Sequence, residues 1–524
     1  MTATGSAPAV TAPIPAPSRA RPGAPWLMVV LVLAVGLAAF AVRFALVARG
    51  GGVLGDNGYD DGVHYAAADA LVHGRLPYRD FLFLQPPGIL LLLAPFAWLG
   101  SATTDPTGVL LARIAFLALG GVNAGLVAAI CRRYGWTAAI VGGTTYAVLF
   151  PAVYGERSTL LEPVGTFGLL LAILLVRRQW RRPGLAAFLA GLPLGLAVST
   201  KIWYIVPAVV LAAFAGRRAL LLLAGAASAT VLICLPFFLA GPAPMLREVV
   251  LDQLGRPTAT VWTPYRRIES MLGVLQVTQP SAATDAATVL PFVLGVVAAV
   301  VAVGLAFTVR GGRLFPVLVL ATGAVVLASP SYFPHYGMLV AAPLAACAGL
   351  ATGRLTRPLP AGPLKAAVTA AVVVGVVAAN ARADAVTVSN PIPAAALTPV
   401  VARVHGCVVS DDPGVLAAVD VLSRDLRQGC EVWPDVTGYT YDRDDGRVHG
   451  DYIHRPDNVR WQRDLLAYLT SGSAVIPHRR STGMSAATRA ALHRGGALVR
   501  VGKWHVWAVD RSPSSSPSPS PSAG

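Results

Sequence analysis

The sequence predicts a polytopic α-helical membrane protein of about eleven transmembrane helices, with a small extracytoplasmic α/β domain at its C-terminal end. Three observations carry that expectation. Of 524 residues, 55% are hydrophobic and only 13% are charged, where a soluble domain is about a quarter charged. The mean hydropathy is +0.61, and the apolar residues fall in blocks of roughly 15 to 24, the length that crosses a bilayer. The 42 Lys and Arg residues outnumber the 26 Asp and Glu. They stand as short clusters between apolar blocks, as topology signals do, and not along one face as in a nucleic-acid-binding protein.

Taken in order, residues 1–25 are rich in Pro, Ala, Ser and Thr and carry Arg19 and Arg21, which predicts a disordered cytoplasmic N-terminus. The apolar run 26–48 exceeds the core of a cleaved signal peptide, about 7 to 15 residues, and reads as a retained first span. Basic clusters at Arg132-Arg133, 177–182, Arg217-Arg218, 310–313 and 354–365 are assigned to the cytoplasm. The spans that satisfy them are 26–49, 108–130, 137–153, 163–176, 184–200, 203–216, 219–240, 287–309, 314–329, 338–353 and 364–380. An odd number places the C-terminus outside. Residues 87–99 do not fit as a span and read as an interfacial or re-entrant block. The external segments are then 50–107, 154–162, 241–286, 330–337 and 381–524, and the membrane domain is 26–380.

Residues 381–511 form the predicted α/β domain. Short apolar strands (407–410, 431–433, 474–476, 497–510) alternate with helix-like stretches (415–426, 461–469). Cys131, Cys234 and Cys347 lie in or beside spans, whereas Cys407 and Cys430 fall in the part that faces an oxidising compartment. They are expected to form a disulfide, the alternative being two buried thiols. The run Asp442-Arg443-Asp444-Asp445 with His449, Asp451 and His454 has no calcium-loop or His-x-x-x-His spacing and reads as a solvated loop. Residues 512–524 are Ser/Pro repeats and are expected to be disordered.

Within the assigned spans the only charged residues are Arg43, Arg113 and, at edges, Arg49 and Lys365. Ion-coupled carriers need carboxylates or histidines inside the bilayer, so a transporter is disfavoured. The polar information is concentrated in the first external segment: Gly55-Asp56-Asn57-Gly58-Tyr59-Asp60-Asp61-Gly62-Val63-His64-Tyr65, then Gly74 to Phe81 with Tyr78 and Asp80, then Gln85-Pro86-Pro87-Gly88.

An adjacent acid pair after the first span, a short Ala-rich helix and a Pro-Pro element resemble the integral-membrane glycosyltransferases of the C-type fold. The likeness is to the branch that holds the protein O-mannosyltransferases and the lipid A aminoarabinose transferase. It covers residues 26–380 in layout and 55–90 in motif. It implies a polyprenyl-phosphate sugar donor, Asp60 as general base toward an acceptor hydroxyl, and Asp61 orienting the acceptor or a divalent metal at the dyad. It also implies a lysine near the lipid phosphate after a Gly-x-Ala stretch, here Lys201 after Gly195-Leu196-Ala197, and an arginine after the Pro-Pro element, here Arg113. Arg157 with Glu162 is similar to the family's Arg-x-x-x-x-Asp pattern, with Glu in the acidic place.

The chemistry agrees with one base and no acid. A glycosidase must protonate an alkoxide and therefore uses two carboxylates, but a phosphate leaves as a stable anion and needs only positive charge around it. Arg256, His335 and Tyr336 join Lys201 and Arg113 as candidates for the donor phosphate. Tyr78, Asp80, Arg157 and Glu162 are candidates for the acceptor side or for support, with Asp80 equally suited to capping the segment that follows. If the dyad is helical, neighbouring side chains diverge by about 100°, so one acid alone faces the reaction. The expected function is an inverting membrane glycosyltransferase of the cell membrane acting on an external acceptor: protein hydroxyl, glycolipid or polysaccharide. The alternative is a non-catalytic membrane scaffold or lipid-carrier protein.

Overall fold

A computed structural model of the chain describes residues 25–178, 180–256, 262–274, 286–441, 453–478 and 482–509. The expected N-terminal and Ser/Pro tails, and the acidic run from Asp442 to Asp451, lie outside the described residues. Helix α1 (Pro25–Ala48) is followed by α2 (Tyr59–Val72) and α3 (Gly88–Ala102) in residues 50–107, then by α4 (Asp105–Cys131). Further apolar helices are Trp136–Val148, continued by Phe150–Gly155, then Glu162–Arg177, Pro183–Thr200, Ile205–Ala215 and Ala219–Ala240. After these come Ala286–Thr308, Leu314–Ala328, Met338–Leu355 and Pro363–Ala381.

Every segment assigned as a span is therefore helical, while seven helical stretches are long and apolar enough to cross a membrane by length and composition. The smaller number has two sources. Ile202–Ala240 counts as one 39-residue stretch, because a single 3₁₀ turn at Gly216–Arg218 joins its two helices. Helices such as Leu314–Ala328 are only 15 residues long. The block at 87–99 is α3, also 15 residues, and it packs between α2 and α4.

The bundle closes through small residues and one polar knot. Gly191 and Gly195, four apart, let Pro183–Thr200 approach Ala219–Ala240. A Cβ at Gly191 would lie 2.1 Å from the Leu222 carbonyl oxygen. Arg43 is fully buried; its Nε donates to Glu156 Oε2 at 2.7 Å and its Nη1 to the Ala147 carbonyl at 2.8 Å. Asn123 and Tyr146 donate to Glu156 Oε1 at 2.6 and 2.7 Å. The arginine is tolerated in an apolar bundle because charge and hydrogen bonds are matched.

The C-terminal domain carries a four-stranded sheet of β1 (Val408–Ser410), β2 (Ala474–Ile476), β3 (Ala497–Val501) and β4 (Trp504–Ala508), in the order β1-β2-β4-β3. β1 and β2 are parallel; β2–β4 and β4–β3 are antiparallel. Cys407 and Cys430 form a disulfide. Two expected elements differ. Residues 431–433 are not a strand, because Trp433 stacks on Tyr439 and Tyr468 and its backbone N–H donates to the Tyr468 hydroxyl instead of a ladder. The stretch 415–426 is two helices, Pro413–Ala418 and Leu422–Arg427, separated where Asp420 takes a left-handed conformation at φ 62°.

This domain does not stand apart from α2 and α3. One continuous apolar core joins Val63, Phe83, Leu90 and Phe116 to Leu416, Leu422, Trp504 and Val506. α2 meets the helix Pro413–Ala418 so closely that a Cβ on Gly62 would lie 2.7 Å from the Gly414 nitrogen. Ser423 Oγ contacts carboxylate oxygens of Asp69 and Asp105 at 2.9 and 2.5 Å.

Candidate functional site

The site is built on the first turn of α2. Gly58 caps the helix at φ 122°, and its N–H donates to Asp56 Oδ1 at 3.1 Å. Asp60 and Asp61 thus sit among unpaired helix N–H groups, where negative charge is favoured. The two carboxylates face different surroundings. The Asp61 side chain is 4% exposed; Arg113 donates to its Oδ2 from both Nε and Nη2, and Thr159 donates to its Oδ1 from N at 2.9 Å and Oγ1 at 2.6 Å. Burial raises the Asp61 pKa, but Arg113 and Thr159 outweigh it and leave it lowered. Arg113 also donates to the carbonyls of Val53 and Gly55. Both oxygens being engaged, the pair does not fit a metal ion shared between Asp60 and Asp61.

The Asp60 side chain, by contrast, is 48% exposed and opens into a cavity of about 510 Å³. Seven of the residues singled out in the sequence line it: Asp60, Arg157, Glu162, Lys201, Arg256, His335 and Tyr336. They come from five separate stretches, each at the end of a helix or in a loop between helices. Lys201 caps the helix Pro183–Thr200, pairs with Glu162, and has its ammonium 4.2 Å from the Tyr336 ring centre. His335 Nε2 lies 3.8 Å from both Asp60 Oδ2 and Glu162 Oε1. Arg256 donates to the Tyr336 hydroxyl at 3.1 Å. Arg157 donates to the carbonyls of Tyr154 and Asn57.

The charge balance follows from these contacts. Lys201 shares its charge with Glu162; Arg157 and Arg256 hydrogen-bond to neutral groups, and Arg256 is also attracted by Asp60 and Asp435. Burial raises the Asp60 pKa, but His335, His64, Arg256 and Lys201 outweigh it and hold the carboxyl below its ordinary value. Among the described residues, three buried side-chain atoms of residues that line the cavity lack a hydrogen-bond partner: Asn57 Oδ1, Arg157 Nε and Glu162 Oε2. Buried polar groups are normally satisfied, and orphans at a cavity wall point to a polar ligand.

Tyr78 and Asp80 lie elsewhere, in an open cleft with Arg247 and Glu248. Asp80 accepts from the Leu76 N–H at 2.7 Å and pairs with Arg79, and Tyr78 donates to the Gln85 carbonyl at 2.6 Å. Both hold the loop that leads into the Pro-Pro element.

Residues absent from the sequence-based candidates also line the cavity. His64, one turn after Asp60, has its Nδ1 2.8 Å from the Thr159 carbonyl; its spacing from Asp60 was the available signal. Asp435, Thr437 and Gly438 form the opposite wall from the C-terminal domain. A separate group, Asp56, Asp412 and His478, places three ligand atoms within 4.8 Å of one another, the only such grouping found among the described residues.

Residues 83–330 match the model of Glycosyltransferase family 87. No curated protein sequence matches the chain. Among solved structures, ArnT from Cupriavidus metallidurans bound to undecaprenyl phosphate is similar at 18% identity and TM-score 0.58, over 93% of this chain and 99% of that one. The Archaeoglobus fulgidus oligosaccharyltransferase with zinc and sulfate is similar at 13% identity and TM-score 0.53, over 85% of this chain and 67% of that one. AglB from the same organism, with an inhibitory peptide and a dolichol-phosphate, is similar at 13% identity and TM-score 0.51, over 86% and 69%.

Proposed function

We propose that the chain, which has the C-type glycosyltransferase fold and matches the Glycosyltransferase family 87 model over residues 83–330, moves a sugar, mannose or a related hexose or pentose, from a polyprenyl-phosphate donor to an extracytoplasmic acceptor hydroxyl. The observation that carries the proposal is one cavity joining the half-exposed carboxylate of Asp60 to the cations Arg157, Lys201 and Arg256. The polyprenyl phosphates held by ArnT and AglB are consistent with such a donor.

In this reading Asp60 takes the proton from the acceptor hydroxyl as its oxygen attacks the anomeric carbon. The phosphate departs from the opposite face toward Arg157, Arg256 and Lys201, which gives inversion. No acid is required, because the phosphate leaves as a stabilised anion. Asp61 and Arg113 act as a buried anchor that fixes the loop carrying Asp60. The N-terminus is then cytoplasmic and the C-terminal domain extracytoplasmic, with the cavity at the outer membrane surface.

The test is transfer from radiolabelled polyprenyl-phosphate mannose or arabinose in membranes holding wild type or Asp60→Asn at equal levels, with label followed into protein, lipid and polymer fractions. Label that depends on Asp60 supports the reading; equal transfer by both proteins removes it.

A further inference from the structure

Ser423 stands at the seam between the C-terminal domain and the helices it packs on, and there its single hydroxyl meets two carboxylates. Its Oγ lies 2.9 Å from Asp69 Oδ2 on α2 and 2.5 Å from Asp105 Oδ1 in the first turn of α4, ahead of the apolar span. All three residues are buried. A hydroxyl has one proton to donate, and an ionised carboxylate has none. With both acids ionised, one of the two contacts would set lone pairs against each other, and two like charges would share one buried site. The arrangement therefore holds one further proton.

Its location follows from the neighbours. Asp105 Oδ2 accepts from the Ser423 N–H at 3.1 Å, and the Asp105 N–H donates to Asp420 Oδ1 at 2.8 Å, which brings a third carboxylate close. The Tyr65 hydroxyl donates to the Asp105 carbonyl at 3.4 Å. Asp69 instead has His73 Nδ1 3.3 Å from its Oδ1. Beyond His73, Nε2 lies 3.2 Å from Ser101 Oγ, which accepts from Arg427 at 2.8 Å. Arg424 and Asp425, on the same helix as Ser423, are paired with each other. Asp69 thus faces the cationic side and keeps its charge, while Asp105 carries the proton: its O–H donates to Ser423 Oγ, and the Ser423 O–H donates to Asp69. Burial, reinforced by Asp69 and Asp420 and opposed by the hydrogen bonds from Ser423, pushes the Asp105 carboxyl up to about 7. Asp69 in turn raises the His73 pKa.

We propose that Asp69, Ser423 and Asp105 form a proton-dependent latch that docks the C-terminal domain on α2 and α4, closed while one proton is held between the two carboxylates and loosened as pH rises. The latch concerns the fold and does not rest on the transfer chemistry. It bears on the site because α2 carries Asp60 as well as Asp69. The docked state binds the proton more tightly than the opened one, in which Asp105 returns toward the ordinary aspartate value of about 3.9. Docking is therefore strongest in acid and weakens as pH climbs from that value through the raised one, beyond which it changes no further.

Hydrogen exchange on the full-length chain in lipid nanodiscs, read by mass spectrometry and corrected for the intrinsic rate at each pH, tests the latch. Protection of Leu422–Arg427 in wild type is expected to fall by about tenfold or more between about pH 5 and pH 8, while that of Pro183–Thr200 stays constant. Asp105→Asn puts an amide N–H where the shared proton sits. Asp69→Asn leaves one carboxylate, for which the proton of Ser423 suffices. Either variant should hold Leu422–Arg427 near its acid-side protection throughout. A variant that also loses protection in Pro183–Thr200 is unfolded, and the other then decides. No fall in wild type, or the same fall in both variants as in wild type, overturns the inference. So does loss of Leu422–Arg427 protection at every pH in both variants, because two ionised carboxylates would then be what holds the seam.

Discussion

The two adjacent acids are expected to fail in different ways when mutated, and a double-mutant cycle separates them. Asp61 and Arg113 are 3% and 6% exposed, and the carboxylate accepts from Arg113 and twice from Thr159. Asp61→Asn strands a buried guanidinium whose remaining printed acceptors are the carbonyls of Val53 and Gly55. Removing one partner of a buried pair costs about 3–5 kcal/mol, while replacing both by apolar groups is close to neutral. Asp61→Asn, Asp61→Leu and Arg113→Met should therefore each lower stability by about 3 kcal/mol, and the Asp61→Leu/Arg113→Met double variant by less than the sum of its two singles, a coupling of about 2–3 kcal/mol. Asp60 is half exposed, so Asp60→Asn should change stability by less than about 0.5 kcal/mol and lower kcat by about 10²–10⁴, the range for a general base. Unfolding of the purified protein in mixed micelles, followed by tryptophan fluorescence, measures the first quantities; single-turnover transfer measures the last. Full stability in Asp61→Asn combined with a loss of transfer as deep as in Asp60→Asn would refute the assignment of anchor and base.

The remaining predictions concern charge, pH and the disulfide. Arg256→Gln and Arg157→Gln each remove a cation that makes no salt bridge among the described residues, and each should raise the donor KM by about tenfold or more, at 1.4 kcal/mol per factor of ten; an effect confined to the acceptor KM would contradict the phosphate role. Asp60 works as the unprotonated carboxylate and its pKa is lowered, so transfer should persist as pH falls and be lost only below the ordinary aspartate value of about 3.9. An acid limb near pH 6 in kcat, measured across a buffer series, would point to another group. Arg43→Met leaves Glu156 buried without its cation and should destabilise the fold by about 3–5 kcal/mol, read as loss of monodisperse protein after heating. Cys407→Ser opens a loop with a sequence separation of 23 and should cost the C-terminal domain about 3 kcal/mol, seen as faster proteolysis within 400–510.

The helical layout was legible because bilayer-length apolar blocks and arginine clusters are local signals, and each assigned span is a helix in the structure. The departures come from non-local packing. Residues 431–433 satisfy a strand pattern, yet aromatic stacking of Trp433 on Tyr468 and the hydrogen bond at its N–H take them out of the sheet. The polar knot of Arg43, Asn123, Tyr146 and Glu156 is likewise invisible locally, since its members are up to 113 positions apart. Asp60 stood out through its neighbours in sequence. Asp435 did not, because nothing in its own turn separates it from a solvated loop acid.

That difference bears on how the site works. Asp60 and the cations Arg157, Lys201 and Arg256 come from residues 60–256, whereas Asp435, Thr437 and Gly438, which line the same cavity, lie 179 or more positions further along the chain. The two halves are held in register by buried links rather than by a loose tether. Tyr59 bonds to Asp435, the Leu82 N–H bonds to the Tyr439 hydroxyl, and Gly62 abuts Gly414. Tyr59→Phe removes the first of these links while leaving Asp60 in place. If the domain only covers the site, that change should alter stability alone. If it shapes the cavity, the change should also shift the KM of transfer.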